Sequence, residues 1–291
     1  MKCLLLLAMV LLQARPGPQS LPARIEELIK TGAAPAPEVG LVLLHLDGRS
    51  AAAIQPDMSF HAASTMKVPV MIELFRQAGA GLLNLDEQLP VRNEFHSIVD
   101  GSVYAMDVGD DSDAEVYKAV GKTMTLRDLT EAMITVSSNF AANLLIERLG
   151  AKNVQQTVDR LGGTGVIVRR GVEDQKAFDK GLNNTTTARG LATLLLKLAT
   201  GKAVSAKADA EMIQVLERQK FNDGIPAGLP PGTRVAHKTG TITRIHHDAA
   251  IVYGPQPYVL VILVRGIQEQ KESAALIAAI SREVWAEMRP R

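Results

Sequence analysis

A continuous apolar run near the C-terminus constrains the fold of this chain more than any other feature. Residues 258–264 read Tyr-Val-Leu-Val-Ile-Leu-Val, a pattern that predicts a short strand with both faces buried. The stretches at 234–237 and 249–253 predict two further strands just before it. A strand that is buried on both faces requires packed layers above and below its sheet. The remainder of the chain must therefore supply helices to a central sheet.

The remaining pattern places strands at both ends of the chain and helices in its middle. Residues 21–31 predict an amphipathic helix, and strands are predicted at 39–46 and 50–54, connected by an Asp-Gly turn. Helical patterns, several of them ended by glycine, occupy residues 68–78, 126–136, 140–149, 153–161, 187–199 and 208–218. A last helix is predicted at 271–288.

These elements predict an α/β lobe combined with an all-α lobe. The α/β lobe would be an antiparallel sheet flanked by the two terminal helices, built from residues 21–62 and 219–291. The helical lobe would be inserted between these parts and would consist of residues 63–218. We expect the functional site in the cleft between the lobes, where pockets commonly form.

Charge and composition argue against some classes of function. The chain has 32 Lys and Arg against 31 Asp and Glu, a net charge of +1. No basic run is long enough to follow a phosphate backbone, so we expect no nucleic-acid partner. The histidines form no ligand pattern, since the neighbours His246 and His247 would point to opposite faces of a strand. We therefore expect no metal and no cofactor.

The N-terminal residues 1–20 predict a secretory signal peptide. Lys2 precedes an apolar core at 4–12, and a stretch with proline and glycine follows. The core is too short for a stable membrane anchor, which takes about 20 residues. Cys3 is the only cysteine, so a processed chain would have none and would rely on its core for stability. We expect a periplasmic or secreted monomer.

Ser64 and Lys67 lie one helical turn apart at the start of a predicted apolar helix. Residues three apart share one face of a helix, so the hydroxyl can hydrogen-bond to the amine. A helix N-terminus also favours developing negative charge. A serine hydroxyl needs such help to become a nucleophile. By itself, the spacing equally fits an N-cap serine beside a solvated lysine.

Two further motifs follow in a fixed order. They read Ser-Ser-Asn at 137–139 and Lys-Thr-Gly-Thr at 238–241. The order Ser-x-x-Lys, Ser-x-Asn and Lys-Thr-Gly is typical of class A β-lactamases and penicillin-binding proteins. The chain therefore resembles the penicillin-recognising serine hydrolases. This resemblance implies a β-lactamase-like fold and a small-molecule β-lactam as substrate.

The resemblance also implies roles for individual residues. Ser64 would attack a lactam or amide carbonyl and become acylated, with Lys67 acting either as its base or as a positively charged partner. Ser137 would relay a proton to the leaving nitrogen, and Lys238 would keep the site positive. The backbone N–H groups of Ser64 and Thr241 would hold the oxyanion.

Substrate-binding residues follow from the same resemblance. Asn139 would bind the amide of the substrate's side chain, and Thr239 and Thr241 would hydrogen-bond to its carboxylate. A further partner for that carboxylate is left open between two residues. Arg244 falls near a turn, whereas His247 lies closer to the expected position but binds a carboxylate less well than a guanidinium does.

Deacylation in class A enzymes needs a glutamate on the loop before the helix at 187–199. Glu173 is our prediction for this base, with Asp174 in reserve, and a surface acidic pair is the alternative interpretation. The Glu-x-x-Leu-Asn spacing of better-known members is missing. Lys176 and Ala177 occupy the positions where a second ligand for the water is expected.

The chain departs from the family pattern in two further places. Ser138 replaces the usual aspartate, which is mainly a structural hydrogen-bonding residue, and the Ser-Ser-Asn cluster also fits a helix cap. Ser64 and Ser137 are 73 positions apart, more than expected, with the excess near residues 98–118. This segment is either a surface loop or a rim of the cleft in which Tyr104 offers a flat wall.

These motifs together predict an exported serine β-lactamase with Ser64 as nucleophile and Glu173 as deacylating base. A D-alanyl-D-alanine carboxypeptidase that binds penicillin uses the same three motifs and is the first alternative. An esterase-like serine hydrolase of the same fold is the second. A non-enzymatic sensor of lactams is the least favoured interpretation, because all three motifs are intact.

Overall fold

The computed structural model describes residues 19–32 and 36–289. The predicted signal peptide lies outside the described residues, except for its last two positions. Within the described residues there are nine α-helices: α1 (Leu21–Thr31), α2 (Lys67–Gly79), α3 (Leu126–Thr135), α4 (Asn139–Leu149), α5 (Ala151–Leu161), α6 (Gln175–Asp179), α7 (Ala188–Ala199), α8 (Ala206–Glu217) and α9 (Gln270–Glu287).

The strands of the described residues form one five-stranded sheet and three short two-stranded pairs. They are β1 (Glu38–His45), β2 (Ser50–Ile54), β3 (Phe60–His61), β4 (Gln88–Pro90), β5 (Phe95–His96), β6 (Val103–Tyr104), β7 (Thr123–Thr125), β8 (Thr185–Thr186), β9 (Arg234–Ile242), β10 (Ile245–Tyr253) and β11 (Tyr258–Arg265). The short pairs are β3 with β8, β4 with β7, and β5 with β6.

The large sheet has the strand order β2-β1-β11-β10-β9, and every pairing in it is antiparallel. The apolar run at 258–264 forms most of the central strand β11, of which all but the last residue is buried. The predictions of a central buried strand and an antiparallel sheet are confirmed. Strands β9 and β10 are longer than predicted, because most of their added residues are polar or glycine and do not follow an apolar pattern.

The two faces of the sheet are covered by different helices. On one face, Ile262 shares a hydrophobic cluster with Ile25 of α1 and Ile280 of α9. On the other face, Val261 shares a cluster with Leu195 of α7 and with the helical part of the chain. Burying each such side chain contributes about 1.5–3 kcal/mol. The terminal helices therefore flank the sheet as predicted, but both lie on the same face.

The larger hydrophobic cluster crosses the predicted boundary between the lobes. It contains Val42 and Val261 of the sheet together with Met71 of α2 and Leu144 of α4. Sheet and helices are therefore joined by one continuous core. The division at residues 62 and 218 stays a prediction.

A buried carboxylate fixes α2, the helix that follows Ser64. Glu73 is fully buried and accepts hydrogen bonds from Arg76 at 2.6 Å, Gln77 at 2.7 Å and Thr157 of α5 at 2.6 Å. Burial acts to raise the pKa of Glu73, but these hydrogen bonds hold it below its usual value. The contact to α5 therefore ties down the helix that begins at Lys67.

Candidate active site

Ser64 lies in a 3-10 turn, Ala63–Met66, that leads directly into α2. Strand β9 passes close to this turn. A Cβ placed on Gly240 would lie 3.1 Å from the backbone nitrogens of both Ser64 and Thr65. That is closer than most Cβ contacts, so this approach favours glycine. The backbone of Ser64 therefore lies against the strand that carries Thr241.

The amine of Lys67 connects the first two motifs. Lys67 is fully buried, and its Nζ donates to Ser64 Oγ at 3.0 Å and to Asn139 Oδ1 at 2.8 Å. It also contacts the carbonyl oxygen of Ser137 and, at 3.2 Å, the Ser137 hydroxyl. The spacing in the sequence therefore brings Ser64 and Lys67 into direct contact, and the fold adds the second motif to the pair.

Ser137 connects the second motif to the third. Its hydroxyl accepts from Lys238 Nζ at 2.9 Å, in addition to the contact with Lys67. Lys238 is itself fully buried and also donates to the Thr239 carbonyl at 3.0 Å. Ser137 has a φ of 61°, a left-handed conformation that costs a serine about 1 kcal/mol or more. The hydrogen bonds from two lysines offset this cost.

The two lysines have strongly perturbed acidities. Burial lowers the pKa of Lys67 to about 7, although the carboxylates of Asp111 and Glu173 act to raise it. Burial and the nearby charge of Lys67 lower the pKa of Lys238 well below its usual value. Near neutral pH, a substantial fraction of Lys67 is therefore uncharged. A neutral amine can accept a proton from Ser64.

Asn139 bridges Lys67 to a carboxylate from a distant loop. It is the first residue of α4, and its Nδ2 donates to Glu173 Oε1 at 2.8 Å. The oxygen of the same amide faces Lys67, so both ends of the side chain have matching partners. Glu173 is half-buried, and this burial raises its pKa. Glu173, the predicted base, is thus separated from Lys67, the partner of Ser64, by the side chain of Asn139 alone.

Asp174 is used by the structure of the loop. Its carboxylate accepts from Ser97 Oγ at 2.8 Å, from the backbone nitrogen of Ile98 at 2.9 Å and from that of Ala177 at 3.1 Å. The last contact caps α6. The structure therefore gives Asp174 a structural role in the loop, because its oxygens already serve three donors, and favours Glu173 as the base.

The positions where a second water ligand was expected are occupied otherwise. Lys176 is exposed and forms an ion pair with Asp100 at 2.8 Å, and Ala177 is buried within α6. Neither residue offers a polar group toward Glu173. At these two positions the structure therefore contains no replacement for the second water ligand that the resemblance implies.

His247 does not reach the cleft. Its Nε2 donates to the carbonyl oxygen of His61 at 2.9 Å, and its Nδ1 accepts from the backbone nitrogen of Val264 at 3.2 Å. Burial lowers the pKa of His247 to about 4, so the ring is neutral at physiological pH. The expectation that His247 lies near the substrate carboxylate is wrong. Neighbouring residues of a strand face opposite sides, and in β10 the residue that faces the cleft is His246.

His246 occupies the position that was expected for His247. It pairs with Thr241 across β9 and β10, it is buried, and its Nδ1 has no hydrogen-bond partner among the described residues. Arg244, the other candidate, is exposed in the turn between these strands and donates to Gly266 at 3.2 Å. The register between β9 and β10 identifies His246, but this register cannot be read from the sequence.

The segment at 98–118 contributes to the rim of the cleft, although not through Tyr104. The Tyr104 hydroxyl donates to the Val172 carbonyl at 3.2 Å and lines neither cavity next to Ser64. Asp110 and Ser112 line one of them. The rim interpretation is therefore correct for the segment, and the role suggested for Tyr104 is wrong.

Two cavities meet at Ser64. One, of about 250 Å³, is also lined by Thr239, Thr241 and His246. The other, of about 340 Å³, contains Glu173 and the apolar side chains of the Glu173 loop and the end of β9. A small molecule that spans both cavities would place its central bond over the Ser64 hydroxyl.

The groups that gather at Ser64 are hydroxyls, amines, an amide and a carboxylate. Within residues 19–32 and 36–289, no group of three or more His, Cys, Asp or Glu is placed to hold a metal ion. In the same part of the chain, no helix is both long and apolar enough to cross a membrane.

This set of groups and its order along the chain match a known family. The sequence model of the beta-lactamase enzyme family matches residues 20–288. The chain belongs to this family. It is therefore a serine hydrolase of the β-lactamase type, and the resemblance seen in its three motifs is confirmed.

Solved structures show the same fold. PBP-A is 30% identical and covers 92% of this chain and 95% of its own, with a TM-score of 0.79. A mutant of PBP-A, solved as an acyl-enzyme complex with penicillin G, gives 30% identity, the same coverage and a TM-score of 0.78. An ancestral class A β-lactamase is 25% identical over 92% of this chain and 100% of its own, with a TM-score of 0.77. The β-lactamase-like fold predicted from the motifs is confirmed.

Proposed function

We propose that the protein is an exported class A β-lactamase that forms an acyl-enzyme on Ser64 and hydrolyses it with a water activated by Glu173. The hydrogen bond of 2.8 Å from Asn139 Nδ2 to Glu173 Oε1 carries this proposal. Because Asn139 also accepts from Lys67, it joins the groups for both steps. The carboxylate lies in a cavity that also contains Ser64.

Acylation begins with the transfer of the Ser64 proton to neutral Lys67. The serine oxygen then attacks the lactam carbonyl carbon, and the N–H groups of Ser64 and Thr241 stabilise the oxyanion. The C–N bond breaks as the Ser137 hydroxyl donates a proton to the leaving nitrogen. Ser137 then takes up the proton that Lys67 received from Ser64, since the Lys67 amine contacts its oxygen at 3.2 Å.

Deacylation requires a base near the ester formed on Ser64. Glu173 in its ionised form takes a proton from water, and the resulting hydroxide attacks the ester carbonyl carbon. The ester bond breaks, and the proton that Glu173 took from the water returns to the Ser64 oxygen, which restores both groups. The half-buried position of Glu173 raises its pKa, which makes its carboxylate a stronger base than an exposed glutamate.

The substrate carboxylate is assigned to the cavity lined by Thr239, Thr241 and His246. The two threonine hydroxyls would donate to it. The free Nδ1 of His246 can add a third donor when it carries a proton. The bound carboxylate would itself favour protonation of the ring. We further propose that the protein acts as a monomer in the periplasm or outside the cell, after loss of residues 1–20.

A D-alanyl-D-alanine carboxypeptidase is the second candidate. It is supported by the mutant of PBP-A, at 30% identity, that was solved as an acyl-enzyme complex with penicillin G. Lys176, paired with Asp100, and the apolar Ala177 also give no second contact for a water. Such an enzyme would be acylated by a penicillin in the same way. It would differ by retaining the acyl group.

The variant Glu173→Gln separates the two candidates. A chromogenic cephalosporin and a penicillin are the substrates, with intact mass recording the acyl-enzyme. The β-lactamase proposal expects steady turnover by the parent. The variant should give a burst of one product per enzyme and a deacylation rate that is lower by about 10²–10⁴-fold.

A matched control is Glu26→Gln, the same chemical change at an exposed position of α1, which should behave as the parent does. If the parent itself shows only a burst, the carboxypeptidase proposal is the better one. Normal turnover by Glu173→Gln would overturn the assignment of the base.

A further inference from the structure

The segment at 98–118 reaches the first turn of α4 through a single carboxylate. Asp111 Oδ1 accepts from the backbone nitrogen of Asn139 at 2.9 Å, and its Oδ2 accepts from that of Phe140 at 2.9 Å. The Tyr117 hydroxyl donates to Oδ2 at 3.2 Å. Asp111 therefore binds the backbone of the residue whose side chain bridges Lys67 and Glu173.

This contact supplies what α4 lacks locally. The first N–H groups of a helix have no partner within the helix. Ser138 caps α4 by accepting from the backbone nitrogen of Ala141 at 3.2 Å. The N–H groups of Asn139 and Phe140, which come before Ala141 in the first turn, donate to Asp111 instead. Ser138 stands where the resemblance implies an aspartate, so a carboxylate from another segment acts at the same helix end.

We propose that Asp111 is a positioning residue, which holds the first turn of α4 so that Asn139 stays between Lys67 and Glu173. This inference rests on the function proposed above. Asn139 is fixed at its backbone by Asp111 and at its side chain by the two reacting groups. Loss of the first contact would leave the amide free to turn away from them.

The same segment is held at other points around the cleft. Ser112 Oγ donates to the Val136 carbonyl at 2.7 Å, next to the second motif. At its other end, Ile98 donates to Asp174, which follows Glu173 in the sequence. The segment is thus attached both to the helix that carries Asn139 and to the loop that carries Glu173, and Asp111 is its charged contact with the helix.

Asp111 also adds charge to the site. Its carboxylate acts to raise the pKa of Lys67, and together with Asp110 it acts to raise the pKa of Glu173. Lys238 faces Lys67 from β9. Neutralising Asp111 should therefore lower the pKa of Lys67, which loss of a helix cap far from the lysine would not do.

The test is Asp111→Asn, which keeps the shape and one acceptor oxygen but removes the charge. The control is Asp107→Asn, the same change at an exposed turn of the same segment, where the carboxylate accepts from the backbone nitrogen of Gly109. The rate of acylation by a penicillin is measured by intact mass between pH 5 and 9. The titration of Lys67 is followed by NMR of lysine labelled with ¹³C, assigned by comparison with Lys67→Arg.

Asp111→Asn should slow acylation by about tenfold or more at pH 7, because the loss of positioning at Asn139 outweighs the larger neutral fraction of Lys67. It should also lower the titration midpoint of Lys67 by about 0.5–1 pH unit. Asp107→Asn should change neither. A lower melting temperature with both readouts unchanged would reduce Asp111 to a structural cap and overturn the proposal.

The NMR titration needs no substrate, so it separates this inference from the proposed function. If the parent is not acylated by penicillin, the proposed function fails. An unchanged Lys67 midpoint in Asp111→Asn would still overturn the role of Asp111, and a shifted midpoint would support it. Asp111→Ala, which removes both acceptor oxygens, should slow acylation more than Asp111→Asn does. If Asp111→Ala does not fold, the result for Asp111→Asn alone decides the test.

Discussion

Around Ser64, the groups proposed for acylation and the group proposed for deacylation are held in different ways. Lys67 is fully buried at the start of a helix and contacts three residues of the first two motifs. Glu173 is half-buried on a loop, and its side chain has one hydrogen bond within the described part of the chain, from Asn139. One side of the site is part of the core, and the other depends on a loop.

This difference indicates which step is more easily changed. The two lysines of the acylation groups, Lys67 and Lys238, are fully buried, so most changes to them also disturb packing. The position of Glu173 depends on contacts such as those of Asp174 with Ser97 and Ile98. Variation in loop contacts can therefore alter deacylation and leave acylation intact. Deacylation is the step that separates a β-lactamase from a penicillin-binding peptidase.

Among these variants, Ser64→Ala should have the largest effect on activity, because it removes the group on which both acylation and deacylation depend. We expect complete loss of covalent labelling by a penicillin, whereas Glu173→Gln is labelled and stays labelled. The melting temperature should stay within about 2 °C of the parent, since the side chain is half-exposed and serves chemistry. Intact mass spectrometry gives the labelling. Ser59→Ala, at an exposed position, is the control, and labelling of Ser64→Ala equal to that of the parent would exclude this nucleophile.

Acylation and deacylation should depend on pH through different groups. Lys67 acts as a base only when neutral, so acylation should fall by about tenfold per pH unit below its pKa of about 7. Glu173 acts only when ionised, so deacylation should fall as the pH drops through its raised pKa. Single-turnover measurements separate the steps. An acylation rate that is flat from pH 5 to 8 would contradict Lys67 as the base.

The two neighbouring histidines allow a smaller and more specific test. His246→Ala removes a ring from the substrate cavity and should raise the KM for a carboxylated penicillin by about three- to tenfold, with little change in kcat. His247→Ala leaves the backbone groups of His61 and Val264 without partners. It should cost about 1–3 kcal/mol of stability and leave KM unchanged. Steady-state kinetics and thermal unfolding give both values, and the opposite pattern would reverse the assignment.

Much of the fold could be predicted because it follows from local patterns. The Gly150 and Gly162 stops end helices where expected, and Thr125 caps α3 as the sequence indicates. The contact of Ser64 with Lys67 also follows from their spacing. In each case the interacting residues are close in the sequence, so helix geometry alone determines the result.

The rest depends on which distant segments meet. Asp111 binds the backbone of Asn139 from 28 residues away, and no periodicity in the sequence marks it. His246 faces the cavity because of the register between β9 and β10, which a count from Lys238 does not provide. Strand β9 extends beyond its predicted end because the residues 238–241 are polar or glycine and give no apolar pattern.

The strand order of the sheet has a consequence for how this chain is made. Glu38 of β1 pairs with Arg265 of β11, 227 residues later. During synthesis at roughly 5–20 residues per second, the β1–β2 hairpin waits on the order of ten seconds or more for its central partner. The helices between them have local contacts and can collapse earlier. A nascent chain therefore exposes an unpaired strand edge for most of translation, a state that attracts chaperones and favours aggregation.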